Sequence, residues 1–465
     1  MHELEEILKE PIENTPPSFF MDSLCSLDRN ILLKSVREFG TPQYILDREQ
    51  LQQRALYFSR MMRQYIPNSD FFYAFKCNDL PYLIAGLKEV GFFADVAGIF
   101  ELQLALELGF EKIVFSSPGK SISELKLAIK HKNRVVINVD NFDELIRIKE
   151  IAGTKKMKEK IPLGFRLNSE PFLKGEWSKF GFELEELAKA VKLVNNSPNL
   201  EWVGLHFHCS WNKTPWKYIE NIKNIGTFLS RNFSAEALKK LRFFDIGGGY
   251  YPEKQAVINK IQDKGILLDT IGARRGNKNQ PFEEIKFDPY GFSVTQVEPL
   301  ENFAKGISEA LKESIFSLNP EINIYFEPGR FIVSFATHIL LEVIAVKKNC
   351  VIADGGIHML GDYKFQEYSF APIVNLSRFS TDFHRKIIYG PLCDPNDLWG
   401  HSYYGEEIRK GDILAVLFQG AYTYCTAWRF IKPIPPYIAF SGGKLILAKP
   451  EEDFSQRYPG LISIE

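Results

Sequence analysis

The chain alternates short apolar runs with longer stretches in which apolar residues recur every three or four positions. The short runs are Phe71–Phe75, Phe92–Asp95, Ile113–Phe115, Val135–Val139, Pro162–Leu167, Val203–His208, Phe243–Ile246 and Ile322–Phe326. Their length and their aromatic and β-branched content predict buried strands. The stretches between them are helical by period and by punctuation. Ser121 and Glu124 form a capping box ahead of Leu125-Lys126-Leu127-Ala128-Ile129. Asn141 caps a stretch whose apolar residues fall at Phe142, Leu145, Ile146 and Ile148, and Glu101–Leu108 is a helix closed by Gly109. Eight such units in series predict an α/β fold, a (β/α)8 TIM-type barrel over residues 48–335, rather than an open doubly wound sheet.

The texture changes after Arg330. Ile339–Ala345, Cys350–Ala353, Lys386–Ile388, Ile413–Phe418 and Tyr437–Phe440 read as strands separated by Gly, Pro and Asp turns. They predict a C-terminal, mostly antiparallel β domain, sandwich-like or barrel-like, made of residues 336–465. Residues 1–47 join it through the strand Gln43–Leu46. The segment 253–299 interrupts the last βα unit and includes the polar run Gly272-Ala273-Arg274-Arg275-Gly276-Asn277-Lys278-Asn279, which predicts a surface loop.

Composition narrows the function. At 465 residues the chain fits two domains, and 45% hydrophobic with 25% charged residues suits a soluble globular enzyme. With 57 basic against 58 acidic residues it has no basic field, so no nucleic-acid partner is implied. No apolar run approaches the roughly eighteen residues that would span a membrane. Cys25, Cys77, Cys209, Cys350, Cys393 and Cys425 form no CxxC pair and have no metal-ligand spacing. Reduced thiols in a cytoplasm are the simplest account, and the acidic N-terminus has no secretory pattern, so a cytoplasmic location and no metal are expected.

Candidate chemistry clusters at the C-terminal ends of the expected strands, which share one face of such a barrel. They carry Lys76, Asp95, Arg166, His208, Gly247-Gly248-Gly249 and Glu327-Pro328-Gly329-Arg330. A lysine delivered by so apolar a strand has a chemical use, because a partly desolvated amine forms a Schiff base with an aldehyde. Alone, it reads first as a side chain snorkelling from a strand end. Bare glycine N–H groups after the seventh and eighth strands are the usual phosphate site. A phosphate beside a reactive lysine points to pyridoxal 5'-phosphate. Glu327 would then keep the pyridine nitrogen protonated, the alternative being an ion pair with Arg330 or another cation. His208 would stack on the ring or serve as a hydrogen-bonded barrel histidine; His206 reads as structural.

These motifs resemble the group IV pyridoxal-phosphate decarboxylases of ornithine, diaminopimelate and arginine, which share an alanine-racemase-like fold. The resemblance runs from Gly40 to about Tyr424. It rests on Tyr73-Ala74-Phe75-Lys76-Cys77-Asn78, Lys179-Phe180-Gly181, Asp245-Ile246-Gly247-Gly248-Gly249, Glu327-Pro328-Gly329-Arg330, Gly390-Pro391-Leu392-Cys393-Asp394 and Gly420-Ala421-Tyr422-Thr423. It implies a homodimer with shared active sites, Lys76 as the Schiff-base lysine, Glu327 at the ring nitrogen and His208 on the ring face. It places Gly248, Gly249, Gly329, Arg330 and Tyr422 at the phosphate, and Asp95 and Arg166 near the cofactor or in a structural ion pair. Cys393 would be the partner chain's proton donor to Cα (a packed thiol is its alternative), and Asp394 would contact the substrate's far end.

Two departures bear on substrate choice. After His208 the family continues with Gly-Ser, whereas this chain has Cys209-Ser210-Trp211-Asn212; Ser210 is left as the hydroxyl for the phosphate. Diaminopimelate decarboxylases resemble one another in an Arg-Pro-Ala-Leu-Tyr run that grips the distal carboxylate; here the match is Ala371-Pro372-Ile373-Val374-Asn375. Arg378 could substitute or be a surface charge, and Gln366, with Glu367 beside it, stands where ornithine-type enzymes place a second acid. The expected activity is α-decarboxylation of an amino acid with a polar or cationic far end, such as ornithine, lysine, arginine or a siderophore or polyamine intermediate. Diaminopimelate decarboxylation is the alternative. A racemase is disfavoured by Glu327, and a non-catalytic regulatory homologue by the retained Lys76 and Cys393.

Overall fold

The computed structural model describes residues 28–153, 157–169, 178–252, 255–258, 292–295, 297–361 and 371–460. Gln366, Glu367 and the Gly272–Asn279 run lie outside them. The chain divides into two compact units, Gln50–Glu253 with Val297–Val333, and Met1–Glu49 with Lys254–Gln296 and Ser334–Glu465. Numbered in chain order, β1 (Gln43–Asp47) belongs to the second unit. The first unit contains β2 (Ser69–Ala74), β3 (Phe93–Val96), β4 (Ile113–Ser116), β5 (Val135–Val139), β6 (Ile161–Arg166), β7 (Leu200–His206) and β8 (Phe243–Asp245). After β9 (Gln255–Ile258) and β10 (Phe292–Thr295), which pair with each other, β11 (Asn323–Phe326) completes the barrel.

The barrel is closed, with β8 and β2 both pairing β11 and every neighbour parallel. Strands buried on both faces need apolar residues at nearly every position, which is why eight runs stood out in the sequence. Phe71, Phe72 and Tyr73 are each 1% exposed. Phe243 stacks on Tyr325 at 4.6 Å in the interior, and its ring fills the space that a side chain on Gly204 would need, 2.4 Å from a would-be Cβ. The helices behave as their caps predict: Ser121 and Glu124 close the box on Ile122–Lys130, and Asn141 accepts from the Glu144 N–H at the start of Phe142–Ala152. Between these helices Lys120 and Glu144 form a fully buried ion pair of 2.9 Å, with the ammonium also donating to the Ser117 and Asn138 carbonyls.

The second unit is a nine-stranded mixed sheet of β1, β12 (Thr337–Val346), β13 (Cys350–Ala353), β14 (Ile373–Asn375), β15 (Phe383–Tyr389), β16 (Leu398–Tyr404), β17 (Ile413–Val416), β18 (Tyr437–Ser441) and β19 (Lys444–Lys449). Antiparallel pairs predominate, but β1 runs parallel to β18, β13 to β15 and β14 to β16. An added β12–β13 pairing turns six of the strands into a ring. Leu340, Val374, Ala415, Leu417 and Ile438 form its core.

Candidate active site

Each chemistry-bearing residue of the barrel unit lies at or just past a strand end. Strand β2 stops at Ala74, one residue short of the expected boundary, and a single helical turn, Phe75–Cys77, presents Lys76. Its Nζ is 3.0 Å from Asp95 Oδ2, on β3. Burial first, then the Glu327 charge, raises the Asp95 carboxyl to about 7, against the pull of Lys76. The acid touching the lysine therefore titrates near neutrality. Arg166 ends β6 with its Nε 3.9 Å from Asp140 Oδ1 and its guanidinium over Phe180, so Asp95 and Arg166 have different partners.

Pairing continues past β7, β8 and β11 and sets the next group. Phe207 N–H donates to the Asp245 carbonyl, Ile246 N–H to Tyr325, and Glu327 N–H to Gly247. Glu327 is thereby fixed 3.4 Å from His206 Nε2 and 3.8 Å from His208 Nδ1. Burial alone would raise the Glu327 carboxyl, but the adjacent His206 and the Lys76 ammonium outweigh it and hold it well below the usual range. The Gly248 N–H donates to His208 Nδ1 at 3.1 Å. That nitrogen is an acceptor, the proton sits on Nε2, and burial keeps the ring neutral by lowering it to about 4.

The residues fit pyridoxal phosphate. Glu327 Oε1 and Asp95 Oδ1 are buried and, among the described residues, have no hydrogen-bond partner, which suits a ring N–H and an amine. A Cβ on Gly248 would sit 2.2 Å from the Glu327 carbonyl, and one on Gly249 1.8 Å from that of Cys209; only bare backbone can pass there. Asn212 ties this loop to the next, donating from its backbone to Gly249 and from its amide to Cys209 and Tyr218. Trp211 takes a left-handed backbone, φ 64°, and is half exposed, so the loop is rebuilt around Asn212 where the family has Gly-Ser. Gly329 approaches Cys77, and the Arg330 guanidinium lies over Tyr251. Ser210 is described through its carbonyl, which accepts from Lys217.

In the sheet unit, Cys393 is exposed and Asp394 half-buried on a loop clamped by Asp397, whose carboxylate accepts the Ile357 and Leu392 N–H groups at 2.7 Å each. Tyr422 has φ 55°. Arg378 is already paired, 3.5 Å from Asp412 and 3.6 Å from Glu406, and Asn375 donates to Asp412. Sequence reasoning set His206 aside as structural and assigned Asp245 no role, although the geometry packs both against Glu327. The available signal was alternation, since His206 and His208 share one side of an extended segment.

A closed parallel barrel with a lysine, a buried carboxylate and bare glycines at one end, in a chain that also carries a separate sheet domain, fits a pyridoxal-phosphate enzyme. The family model of the pyridoxal-dependent decarboxylases, pyridoxal binding domain, matches residues 51–269, and that of their C-terminal sheet domain matches 330–420. The chain belongs to this family, the group IV decarboxylases, and is a pyridoxal-phosphate-dependent carboxy-lyase acting on an amino acid. It is 25% identical over 472 residues to diaminopimelate decarboxylase of Aquifex aeolicus, covering 97% of each chain. It is 27% identical over 396 residues to that of Helicobacter pylori, covering 83% of this chain and 86% of the relative. Its fold matches a crystal structure of Helicobacter pylori diaminopimelate decarboxylase with L-lysine at a TM-score of 0.73 and 24% identity, covering 91% and 97%.

Proposed function

We propose that this enzyme removes the α-carboxylate of diaminopimelate. The observation that carries this reading is near full-length similarity to diaminopimelate decarboxylases, joined to a barrel mouth holding Lys76, Asp95, His208 and Glu327. Bound, pyridoxal phosphate supplies an aldehyde for amine attachment and a protonated ring that accepts the electrons freed when CO2 leaves. Lys76 is the anchoring amine, and Asp95 holds it in place and takes or returns its proton near neutral pH. Glu327, held ionised, keeps the ring nitrogen protonated. His208, neutral and fixed by Gly248, would face the ring without adding charge. Gly248, Gly249, Gly329, Arg330 and Ser210 would hold the phosphate, with Arg166 near the cofactor. Cys393 returns a proton to Cα, and it and Asp394 come from the second subunit of a cytoplasmic homodimer.

One observation favours a second reading. Ala371 and Asn375 stand where diaminopimelate enzymes have arginine and tyrosine, and the nearby Arg378 is neutralised by Asp412 and Glu406. This suits a substrate with a cationic or polar far end and no free distal carboxylate. The test is CO2 release from purified holoenzyme given diaminopimelate, ornithine, lysine and arginine. Diaminopimelate should be preferred; turnover of ornithine, lysine or arginine at its expense would replace it with the second reading, and silence across the panel would refute both.

A further inference from the structure

The barrel mouth holds more buried acid than base. Asp95, Asp140, Asp245 and Glu327 are each at most 3% exposed, with Glu101 close to Lys76. Against them stand Lys76 and Arg166, while burial keeps His206 and His208 neutral. A surplus of negative charge in a dry site is removed by taking up protons. The geometry says where. His206, Asp245 and Glu327 converge so that one nitrogen or oxygen from each lies within 4.8 Å of the others. Asp245 Oδ1 accepts the Gly247 N–H at 2.9 Å, but its Oδ2, like both ring nitrogens of His206, has no hydrogen-bond partner among the described residues.

We propose that Asp245 carries a proton on Oδ2 at neutral pH and, with His206, acts as a positioning residue for Glu327. The triad then bears one negative charge, on Glu327, whose Oε1 stays free for the ring nitrogen; this rests on the cofactor reading above. Two ionised carboxylates so close in a dry site would repel, whereas a proton between them turns repulsion into a hydrogen bond. Burial first and the Glu327 charge next push the Asp245 carboxyl well above its ordinary range, consistent with this assignment. His206 Nε2, at 3.4 Å, closes the other side of Glu327 without adding charge.

The test compares Asp245→Ala with Asp245→Asn, whose amide mimics a neutral acid by accepting from Gly247 and donating towards Glu327. Cofactor affinity, read by pyridoxal phosphate titration, should fall about tenfold in D245A, and D245N should restore it to within about threefold of wild type. Infrared difference spectra of the cofactor-free protein at pH 7 should contain a protonated-carboxyl band that D245N loses and that Asp95→Asn and Glu327→Gln keep. Affinity as poor in a folded D245N as in D245A, or absence of that band from wild type, would overturn the proposal. A wild type that binds no cofactor would overturn the positioning role through the function it rests on, while the band reports the proton independently.

Discussion

Gly249→Ala should damage the protein far more than its single methyl group suggests. Gly249 has φ 92°, where an alanine costs about 1–2 kcal/mol. Its new Cβ would lie 1.8 Å from the Cys209 carbonyl oxygen, so that carbonyl must move. The same oxygen accepts the Asn212 amide at 2.7 Å, and Asn212 N–H donates back to Gly249 at 3.0 Å. Losing one such buried bond costs about 1–3 kcal/mol, for a total of about 2–5 kcal/mol. Gly153→Ala is the control: φ is 63°, and nothing lies within 4 Å of its Cβ, so only the backbone term of about 1–2 kcal/mol remains. Urea unfolding of the cofactor-free proteins, followed by fluorescence, should place G249A below G153A by about 1–3 kcal/mol. Pyridoxal phosphate titration should find weakened binding in G249A alone. Equal destabilisation, with equal cofactor binding, would refute the close approach of the two loops.

His338, 5% exposed, has its imidazole lowered to about 4 by burial. Its folded value lies below the ordinary 6.5, so its contribution is present above 6.5 and is lost as pH falls towards 4, by about 3 kcal/mol. Between pH 7.5 and 4.5 the unfolding free energy should fall about 2–3 kcal/mol less in His338→Asn than in wild type; parallel changes would contradict it. Lys120→Met strands the buried Glu144 charge and should cost about 3–5 kcal/mol, whereas Lys120→Met with Glu144→Met should cost less. Strict additivity in a double-mutant cycle would rule that pairing out.

The barrel was legible because a strand covered on both faces admits few polar residues, so each appeared as an apolar run. Strands β14, β16 and β19 were not. Leu398–Tyr404 mixes glycine, histidine and serine, and Lys444–Lys449 lies at the end of the sheet order with Leu447 half exposed, so neither has the apolar continuity of a core strand. Strand ends were misplaced by one to three residues: the Val203–His208 run pairs as β7 from Leu200 to His206, and the Phe71–Phe75 run turns helical at Phe75. Lys76, His208 and Glu327 could be picked out by residue type and position. The role of Asp245 could not, because its chemistry depends on the loops after β8 and β11 meeting in space, and nothing local in Phe243-Phe244-Asp245 reports that Glu327 is its neighbour.

The most direct measurement is the site of covalent attachment. The holoenzyme is reduced with borohydride, digested and mapped by mass spectrometry. A phosphopyridoxyl group on the peptide containing Lys76, absent from Lys76→Ala, is the predicted result. The same group on a different lysine, or cofactor-loaded protein that reduction leaves unlabelled at Lys76, would contradict it.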